Sequence, residues 1–249
     1  MAYDKTLQKH IRCKEGDVSP YVLIPGDPQR AKRIAEAFDT MEKIAENREY
    51  VVYTGTKDGV RMSVCSTGIG GPSASIAIEE LAKIGAHTFI RVGSAGGRRE
   101  DIPVGSVVVI NAAVRGDGTS KEYLPDIYPA IANIDVTLAL MESAKNYLGN
   151  EEFYVGTSFT RDAYYMQNHE LNKLLLDTDV AVSEMECATA FIVGSKRRLR
   201  VGAIVGTDSN IIKKHQFSLE EKDRLYMEAE KKTIAIAIDA IVRMAKKED

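Results

Sequence analysis

The sequence predicts an α/β fold: a single domain of three layers, in which a mostly parallel central sheet is flanked by helices. Short runs rich in β-branched and aromatic residues recur along the chain, and helical patterns separate them. Near-continuous apolar strands that alternate with helices are typical of a sheet covered on both faces. No linker rich in Pro, Gly or Ser, no shift in composition and no internal repeat divides residues 1–249. One domain is therefore expected over the whole chain.

Six segments have the composition of buried strands. They are rich in Val, Ile, Tyr and Phe, which pack well on a pleated surface. They lie at 21–25, 50–55, 61–67, 88–93, 106–110 and 201–206. Their brevity favours strands over buried helices, which need about ten residues or more.

Five segments have the pattern of helices, at 29–38, 72–86, 135–149, 184–200 and 218–247. Pro28 and Pro72 stand where the first two begin, a position at which the missing N–H group of proline costs nothing. Asp135 is an N-cap candidate for the third helix, and Gly149 is its stop signal. The long irregular stretch 114–132 is predicted to be a site or interface loop.

Composition and charge exclude several classes of protein. Hydrophobic residues make up 44% of the 249 residues and charged residues 28%, which is typical of a globular chain rather than a disordered one. A formal net charge of −3 argues against general nucleic-acid binding, because that needs a basic surface. No apolar run of about 18 residues could span a bilayer, and the N-terminus lacks a signal-peptide core. A cytoplasmic protein without membrane or nucleic-acid partners is expected.

The cysteines and histidines predict neither a disulfide nor a metal site. Cys13, Cys65 and Cys187 are an odd number without a CxxC pair, as expected of reduced thiols in a cytosol. The four histidines show no HxxxH or similar ligand spacing.

Three predicted strand ends run into glycine-rich loops, at 24–30, 66–73 and 91–97. In open α/β sheets ligands bind beyond the carboxyl ends of the strands, and glycines let backbone N–H groups approach an anion there. No Walker A pattern exists, and the second loop fails the GxGxxG pattern at Ser73. Tight turns are the alternative explanation of each glycine cluster.

Two arginines beside these loops point to an anion. Arg91 interrupts an apolar strand, and Arg30 lies in the first helical turn after the first loop. A guanidinium keeps its charge and is rarely buried without a partner. Together with Ser94 and backbone N–H groups, they could hold a tetrahedral oxyanion. The alternatives are a solvated helix charge for Arg30 and a structural ion pair for Arg91.

Three further carboxyl groups are candidates for a site, and one of them, Asp208, follows a predicted strand. Glu184 and Glu186 share a face if their segment is extended, and a carboxylate can accept bonds from two hydroxyl groups. The alternative is that they are first-turn acids favoured by the helix dipole. Asp208 could act as a general acid if its surroundings raise its pKa. The alternative for Asp208 is a turn or a helix cap.

Six segments resemble, in the same order, the purine nucleoside phosphorylase and uridine phosphorylase family of the hexameric type. They lie at 10–38, 65–73, 89–97, 155–165, 183–190 and 206–210. The resemblance implies reversible phosphorolysis, in which a nucleoside and phosphate give a free base and a pentose 1-phosphate. The anion that binds to the arginines would then be inorganic phosphate, which is a co-substrate of this reaction. No metal or organic cofactor would be needed.

The resemblance also implies the residues that bind phosphate. Gly26, Arg30, Arg91 and Ser94 match the family's phosphate-binding positions within one subunit. Arg48 matches an arginine that the neighbouring subunit contributes to the same phosphate. A homo-oligomer follows from this sharing, and the family type implies a hexamer built as a trimer of dimers.

Five further residues are predicted to bind the nucleoside. By the resemblance, Glu186 holds the ribose 2′- and 3′-hydroxyl groups and Met185 packs against the sugar, with Glu184 beside them. His10 matches the neighbour's histidine that reaches the 5′-hydroxyl group. Phe159 matches an aromatic residue beside the base.

The resemblance favours a purine base but leaves uridine open. Asp208 matches the acid that protonates a purine at N7, and Thr207–Asp208 stands where purine-type enzymes carry Ser–Asp or a similar pair. Uridine-type enzymes lack that acid and usually read uracil with a Gln and an Arg, whereas here Gln167 has no arginine after it. Residues 65–94 nevertheless read close to uridine phosphorylases. The arginine that assists the acid in purine types has no clear match, and the candidates near its place are Glu221, Lys222 and Arg224.

Other activities are considered beside these two. Methylthioadenosine phosphorylase is a less favoured variant of the same reaction. A hydrolytic nucleosidase shares the fold and the Glu/Asp pair, but its phosphate pocket is normally dismantled, whereas the arginines and Ser94 remain here. A non-catalytic nucleoside- or anion-binding protein would not need Asp208 and Glu186. A dinucleotide-dependent oxidoreductase lacks support because the GxGxxG pattern is missing.

Overall fold

The computed structural model of the protein describes residues 6–166, 168–213 and 217–248. The strands are β1 (Tyr21–Leu23), β2 (Thr40–Asn47), β3 (Tyr50–Lys57), β4 (Val60–Cys65), β5 (Thr88–Gly97), β6 (Val107–Gly116), β7 (Ala130–Ile131), β8 (Tyr154–Arg161), β9 (Val180–Glu184) and β10 (Arg200–Asn210). The helices are α1 (Pro28–Glu36), α2 (Gly71–Lys83), α3 (Thr119–Tyr123), α4 (Ile134–Leu148), α5 (His169–Leu176), α6 (Cys187–Arg197) and α7 (Leu219–Glu248).

The strands form one connected sheet that closes on itself at one end. Their order is β10-β6-β8-β9-β5-β1-β4-β3-β2, with β7 beside β6. Since β10 also pairs with β5, the strands β5, β10, β6, β8 and β9 form a small barrel, and β1, β4, β3 and β2 extend from it as an open sheet. Closure removes exposed strand edges and makes β5 the strand common to both parts.

The α/β class is confirmed, but the sheet is mixed rather than mostly parallel. Among the described residues, five strand pairings are parallel and five are antiparallel. Hairpins need only short turns, whereas parallel pairs need long crossovers. The β2–β3 and β3–β4 turns are short and place Arg48 (φ 56°), Asp58 (φ 49°) and Gly59 (φ 81°) in the left-handed region.

The helices cover both faces of the sheet and give the predicted three layers. The side chains of Phe89 and Val108 pack with those of α2 and α6. Their neighbours in sequence, Ile90 and Val109, pack with α1, α4 and α7 on the other face. This alternation follows from the two-residue period of a strand, and it explains why the predicted strands are apolar along their whole length.

The five predicted helices are present, with ends displaced by three residues or fewer. The short helices α3 and α5 and the strands β2, β7, β8 and β9 were not predicted. The irregular stretch 114–132 contains the end of β6, then α3 and β7. Within the described residues, no helix combines the length and the apolar character needed to cross a bilayer.

Candidate active site

The predicted site lies at the carboxyl ends of β5 and β10, which run side by side in the same direction. Gly206 pairs with Ser94 and Thr207 with Ala95, after which the ladder skips one residue. The predicted loop 91–97 is instead the end of β5, which continues to Gly97. Small residues there allow the two backbones and their side chains to lie close together. The site is therefore built on strands of the barrel rather than on loops.

Two glycines permit close approaches that a larger residue would block. A Cβ atom on Gly26 would lie 3.0 Å from the carbonyl oxygen of Gly68, so the first and second glycine-rich loops touch. A Cβ atom on Gly93 would lie 2.9 Å from Nη2 and 3.0 Å from Cζ of Arg91. The guanidinium of Arg91 therefore folds back over its own strand, and only glycine at 93 leaves it this room.

Arg91 lies between two buried carboxylates. Its Nη2 forms an ion pair with Oε2 of Glu186, and its Nε is 3.4 Å from Oε2 of Glu184. The Nε–H group is buried without a hydrogen-bond partner among the described residues. Burial opposes the charge of Arg91, but Glu186 and Glu184 raise its pKa above the usual value. Burial also raises the pKa of Glu186, which the guanidinium partly offsets.

Glu184 holds the start of α6 instead of facing the site. Its Oε2 accepts bonds from the backbone N–H groups of Glu186 (2.7 Å) and Cys187 (2.8 Å). Its Oε1 accepts bonds from the hydroxyl groups of Ser158 (3.3 Å) and Thr160. The side chain is 0% exposed. The nucleoside contact expected of Glu184 is corrected for this reason: its oxygens are used to satisfy the free N–H groups of a helix terminus.

Arg30 is buried, so it is not the solvated helix charge that was the alternative. Asp27 caps α1 and accepts the N–H group of Arg30 at 2.9 Å, which places the side chain over β5. Its Nε donates to Glu230 at 2.7 Å and its Nη1 to the carbonyl of Val92 at 3.2 Å. Its Nη2 donates to the hydroxyl group of Tyr226. Arg30 thus contacts β5, the strand that also carries Arg91 and Ser94.

Glu230, on α7, holds two arginines of α1. Besides Arg30, its carboxylate accepts a bond from Arg33 Nε, and Nη2 of Arg33 lies 3.1 Å from Oε2. Burial alone would raise the pKa of Glu230, but the bonds from Arg33 and Arg30 hold it below its usual value. Glu230 is therefore a fixed negative charge behind Arg30 at neutral pH.

Asp208 is the residue that the β5–β10 ladder skips. It forms a β-bulge between Thr207 and Ser209, and such bulges often re-aim a side chain beside an active site. Burial raises the pKa of Asp208, while a 2.7 Å bond from the Ser209 hydroxyl group and the charge of Arg30 oppose this. Asp208 is thus close enough to Arg30 to feel its charge and is more easily protonated than an ordinary aspartate.

His10 is held by a buried carboxylate of α2. Its Nδ1 is 2.6 Å from Oε1 of Glu80, and Oε2 of Glu80 accepts the backbone N–H groups of His10 and Ile11 at 2.9 Å. A donated Nδ1–H leaves Nε2 as the ring nitrogen that can face another molecule. Burial would raise the pKa of Glu80, but these hydrogen bonds hold it below its usual value.

Arg48 lies close to His10. The amide of Asn47 donates to the carbonyl of His10 at 2.7 Å, and the exposed Arg48 follows in the β2–β3 turn. Across the described residues, neither His10 nor Arg48 bonds to Arg30 or Arg91. The structure of one chain brings these two together, and their part in a neighbour's site stays a prediction.

The residues predicted beside the sugar and the base differ in how far they are exposed. Met185 is half-buried in the bend between β9 and α6, next to Glu186. Phe159 is buried with Leu175 and Val180, which leaves little of its ring for a base. Two aromatic residues that follow the same strand, Tyr164 and Tyr165, are exposed, and the sequence reasoning did not single them out. Gln167 lies outside the described residues.

The C-terminal helix contributes residues that the sequence reasoning missed. Arg224, a candidate assistant of the acid, is exposed and pairs with Glu228 on the surface of α7. The side chains of α7 that reach the site are Tyr226 and Glu230. They are four residues apart, the spacing of one helix face, and that spacing is the only signal in the sequence that joins them.

The chain is similar to known proteins over nearly its whole length. The family model described as "Phosphorylase superfamily" matches residues 20–243. A guanosine phosphorylase of Halorubrum lacusprofundi is 38% identical, with 95% of this chain and 99% of that protein covered. A uridine phosphorylase of Thermococcus kodakarensis is 40% identical, with 91% and 86% covered. Several further relatives are also named uridine phosphorylase.

Solved structures agree with these relatives. A purine nucleoside phosphorylase of Toxoplasma gondii, crystallised with immucillin-H, superposes with a TM-score of 0.89 at 29% identity. The superposition covers 99% of each chain. Both the fold and the sequence are thus shared with proteins of one family.

Proposed function

The chain belongs to the phosphorylase superfamily, and from this premise we propose that it is a nucleoside phosphorylase that favours purine nucleosides. The observation that carries the proposal is that Arg30 contacts β5 at Val92, next to Arg91, and that Asp208 on the paired strand β10 is close enough to Arg30 to feel its charge. The buried guanidinium groups of Arg30 and Arg91 can bind an anion. Asp208, whose pKa is raised, lies near Arg30. Inorganic phosphate is the proposed co-substrate, with no metal or organic cofactor.

Phosphate binds, in this proposal, between Arg30, Arg91 and Ser94, with Gly26 lining the site. The bidentate donors of a guanidinium match the oxygens of a tetrahedral dianion. Glu186 forms an ion pair with one terminal nitrogen of Arg91. Bound phosphate competes for that guanidinium, and the carboxylate of Glu186 becomes available to the 2′- and 3′-hydroxyl groups of ribose. In this proposal, phosphate thus binds to Arg91 and the sugar to Glu186, the two former partners of one ion pair.

The reaction exchanges one bond at the anomeric carbon for another. The C1′–N9 bond breaks with its electron pair going to the purine, and a phosphate oxygen forms the new bond to C1′. Positive charge develops on the sugar next to the phosphate dianion, which stabilises it. Asp208 donates its proton to N7, so the purine leaves as a neutral base, and the carboxylate later regains a proton from solvent. General acid catalysis contributes roughly 10²–10⁴ in rate.

Uridine phosphorolysis is the second candidate. Relatives named uridine phosphorylase support it, as does the similarity of residues 65–94. A pyrimidine has no N7 to protonate, so this activity would leave the raised pKa of Asp208 without a use. Phosphorolysis of purine nucleosides gives Asp208 a function, the protonation of N7, and is preferred for that reason.

A shared active site is part of the proposal. Among the described residues, His10 and Arg48 lie close together and form no bond to Arg30 or Arg91, as expected if they complete the site of a neighbouring subunit. A homo-oligomer is required for this, and we propose a hexamer of three dimers, located in the cytoplasm. An active monomer in sedimentation would contradict the sharing.

A substrate panel tests the function. Inosine, guanosine, adenosine, methylthioadenosine and uridine are each incubated with and without phosphate, and base release is measured. Phosphate-dependent release from purine nucleosides is expected. Release from uridine alone would favour the second candidate, release without phosphate would indicate a nucleosidase, and binding without release would refute catalysis.

A further inference from the structure

The hydroxyl group of Tyr226 joins three parts of the proposed phosphate site. Its oxygen accepts a hydrogen bond from Nη2 of Arg30 and donates to Oε2 of Glu230 at 3.1 Å. The side chain of Ser94 also interacts with this hydroxyl group. Cζ of Arg30 lies 5.8 Å from the centre of the Tyr226 ring. A single phenol oxygen therefore contacts two of the residues that were expected to hold phosphate, Arg30 of α1 and Ser94 of β5.

The bonds of Arg30 leave a defined part of its guanidinium for a ligand. The group has five N–H donors, and three of them are used, on Glu230, on the Val92 carbonyl and on Tyr226. Among the described residues, the other two, one on each terminal nitrogen, have no partner. Two donors on adjacent nitrogens suit two oxygens of one anion. The direction in which they point is set by the three bonds that are already made.

We infer that Tyr226 is a positioning residue of the phosphate site, which aligns Arg30 and Ser94 toward the same anion. The inference rests on the proposed function, because it takes phosphate as the ligand of these residues. Of the three partners of Arg30, Tyr226 alone also reaches Ser94, so its removal would uncouple the two phosphate contacts while the ion pair with Glu230 remains.

The chemistry of the hydroxyl group suits this role at neutral pH. Burial raises the pKa of Tyr226 to about 12, although Arg30 opposes the shift. The phenol thus keeps its proton, which it donates to Glu230, while its oxygen accepts from Arg30. A phenolate or a carboxylate at this place would add a negative charge where phosphate has to bind.

The test is the variant Tyr226→Phe, which keeps the ring and removes the hydroxyl group. We expect KM for phosphate to rise about tenfold, the effect of losing one hydrogen bond to a charged group. kcat and KM for the nucleoside should change little. The affinity for phosphate alone, measured by calorimetry, should fall by the same factor.

Tyr154→Phe is the matched control. The Tyr154 hydroxyl group also donates to a carboxylate, that of Glu152, at 3.0 Å, and its pKa is also raised to about 12. Among the described residues, the Tyr154 hydroxyl group interacts with Glu152, Asp101 and Arg99 and with none of the proposed phosphate residues, so its loss should leave KM for phosphate unchanged.

Each outcome decides the inference. An unchanged KM for phosphate in Tyr226→Phe would overturn it and leave the proposed function standing. A lower melting temperature with equal losses for phosphate and nucleoside would show a general structural role and would overturn it too. Wild-type protein that turns over no nucleoside with phosphate would instead refute the proposed function itself.

Discussion

Replacing Arg91 by methionine removes the charge that lies between two buried carboxylates. The side chain of Arg91 is 6% exposed, and those of Glu184 and Glu186 are 0% and 6% exposed. Methionine has a similar length, so the packing changes less than the electrostatics. Removing one partner of a buried ion pair costs about 3–5 kcal/mol, because the remaining charge is left without compensation. For a chain of this length, each kcal/mol lowers the melting temperature by about 2–4 °C, which gives a loss of roughly 6–20 °C.

The loss should depend on pH, and its sign can be worked out. The pKa of Glu186 is already raised by burial, and without Arg91 it rises further. The folded variant then binds a proton that the unfolded chain releases above its own pKa of about 4.3. The free energy of unfolding of the variant relative to wild type therefore falls as pH increases from the pKa of Glu186 in the unfolded chain to its raised pKa in the folded variant. The deficit should be smallest near about pH 5 and largest near about pH 8, which thermal unfolding followed by circular dichroism measures directly.

Arg243→Met is the control for this prediction. Arg243 pairs with Asp239 and Glu142 on the surface, and its side chain is 32% exposed. Surface pairs contribute at most about 1 kcal/mol, so this variant should lose little stability. The reasoning fails if Arg91→Met loses no more than Arg243→Met, or if its deficit is the same at every pH.

Three further predictions concern activity. Asp208→Asn should impair purine nucleosides much more than uridine, since only a purine takes the proton at N7, and equal losses in kcat/KM would contradict that role. Arg48→Ala and Asp208→Asn chains, each inactive alone, should regain about a quarter of wild-type activity when refolded as a random mixture of dimers. No recovery would show that each chain uses its own Arg48. Gly93→Ala should raise KM for phosphate because the new methyl group displaces the guanidinium of Arg91, and unchanged phosphate kinetics would refute this.

The helices and the candidate site residues on α1 and β5 could be predicted because their signals in the sequence are local. Asp27 and Pro28 mark the start of α1 within two residues of chain. Arg91 is recognisable because a charge stands in an apolar strand, and it is buried as that anomaly suggests. Burial and capping of this kind need no knowledge of distant segments.

The barrel could not be predicted, because β8 and β9 carry polar side chains. These side chains find their hydrogen-bond partners in each other only once the barrel has closed. Ser158 and Thr160 interrupt the apolar pattern of β8, and both donate to Glu184 of β9. Whether Glu184 or Glu186 faces the ligand depends on how the chain turns from β9 into α6. That turn is set by tertiary contacts and not by the spacing of the two acids.

The contribution of α7 was missed for a similar reason. Tyr226 and Glu230 have the composition of an ordinary helix surface, and their meaning comes from the docking of α7 against α1 and β5. Arg30 and Glu230 are 200 residues apart in the chain. A partner so remote leaves no local trace, so the contacts of Tyr226 and Glu230 with Arg30 could not be predicted from the sequence.

The β-bulge at Asp208 separates this position from the hydrogen-bonding ladder of the barrel. The ladder resumes at Ser209 opposite Gly96, so the residue at 208 is exempt from strand pairing. An exchange at that one position leaves the alignment of every other residue in β5 and β10 as it was. A chain with this architecture can therefore acquire or lose the proposed proton donor through a single codon, while the neighbouring residues proposed to bind phosphate keep their places.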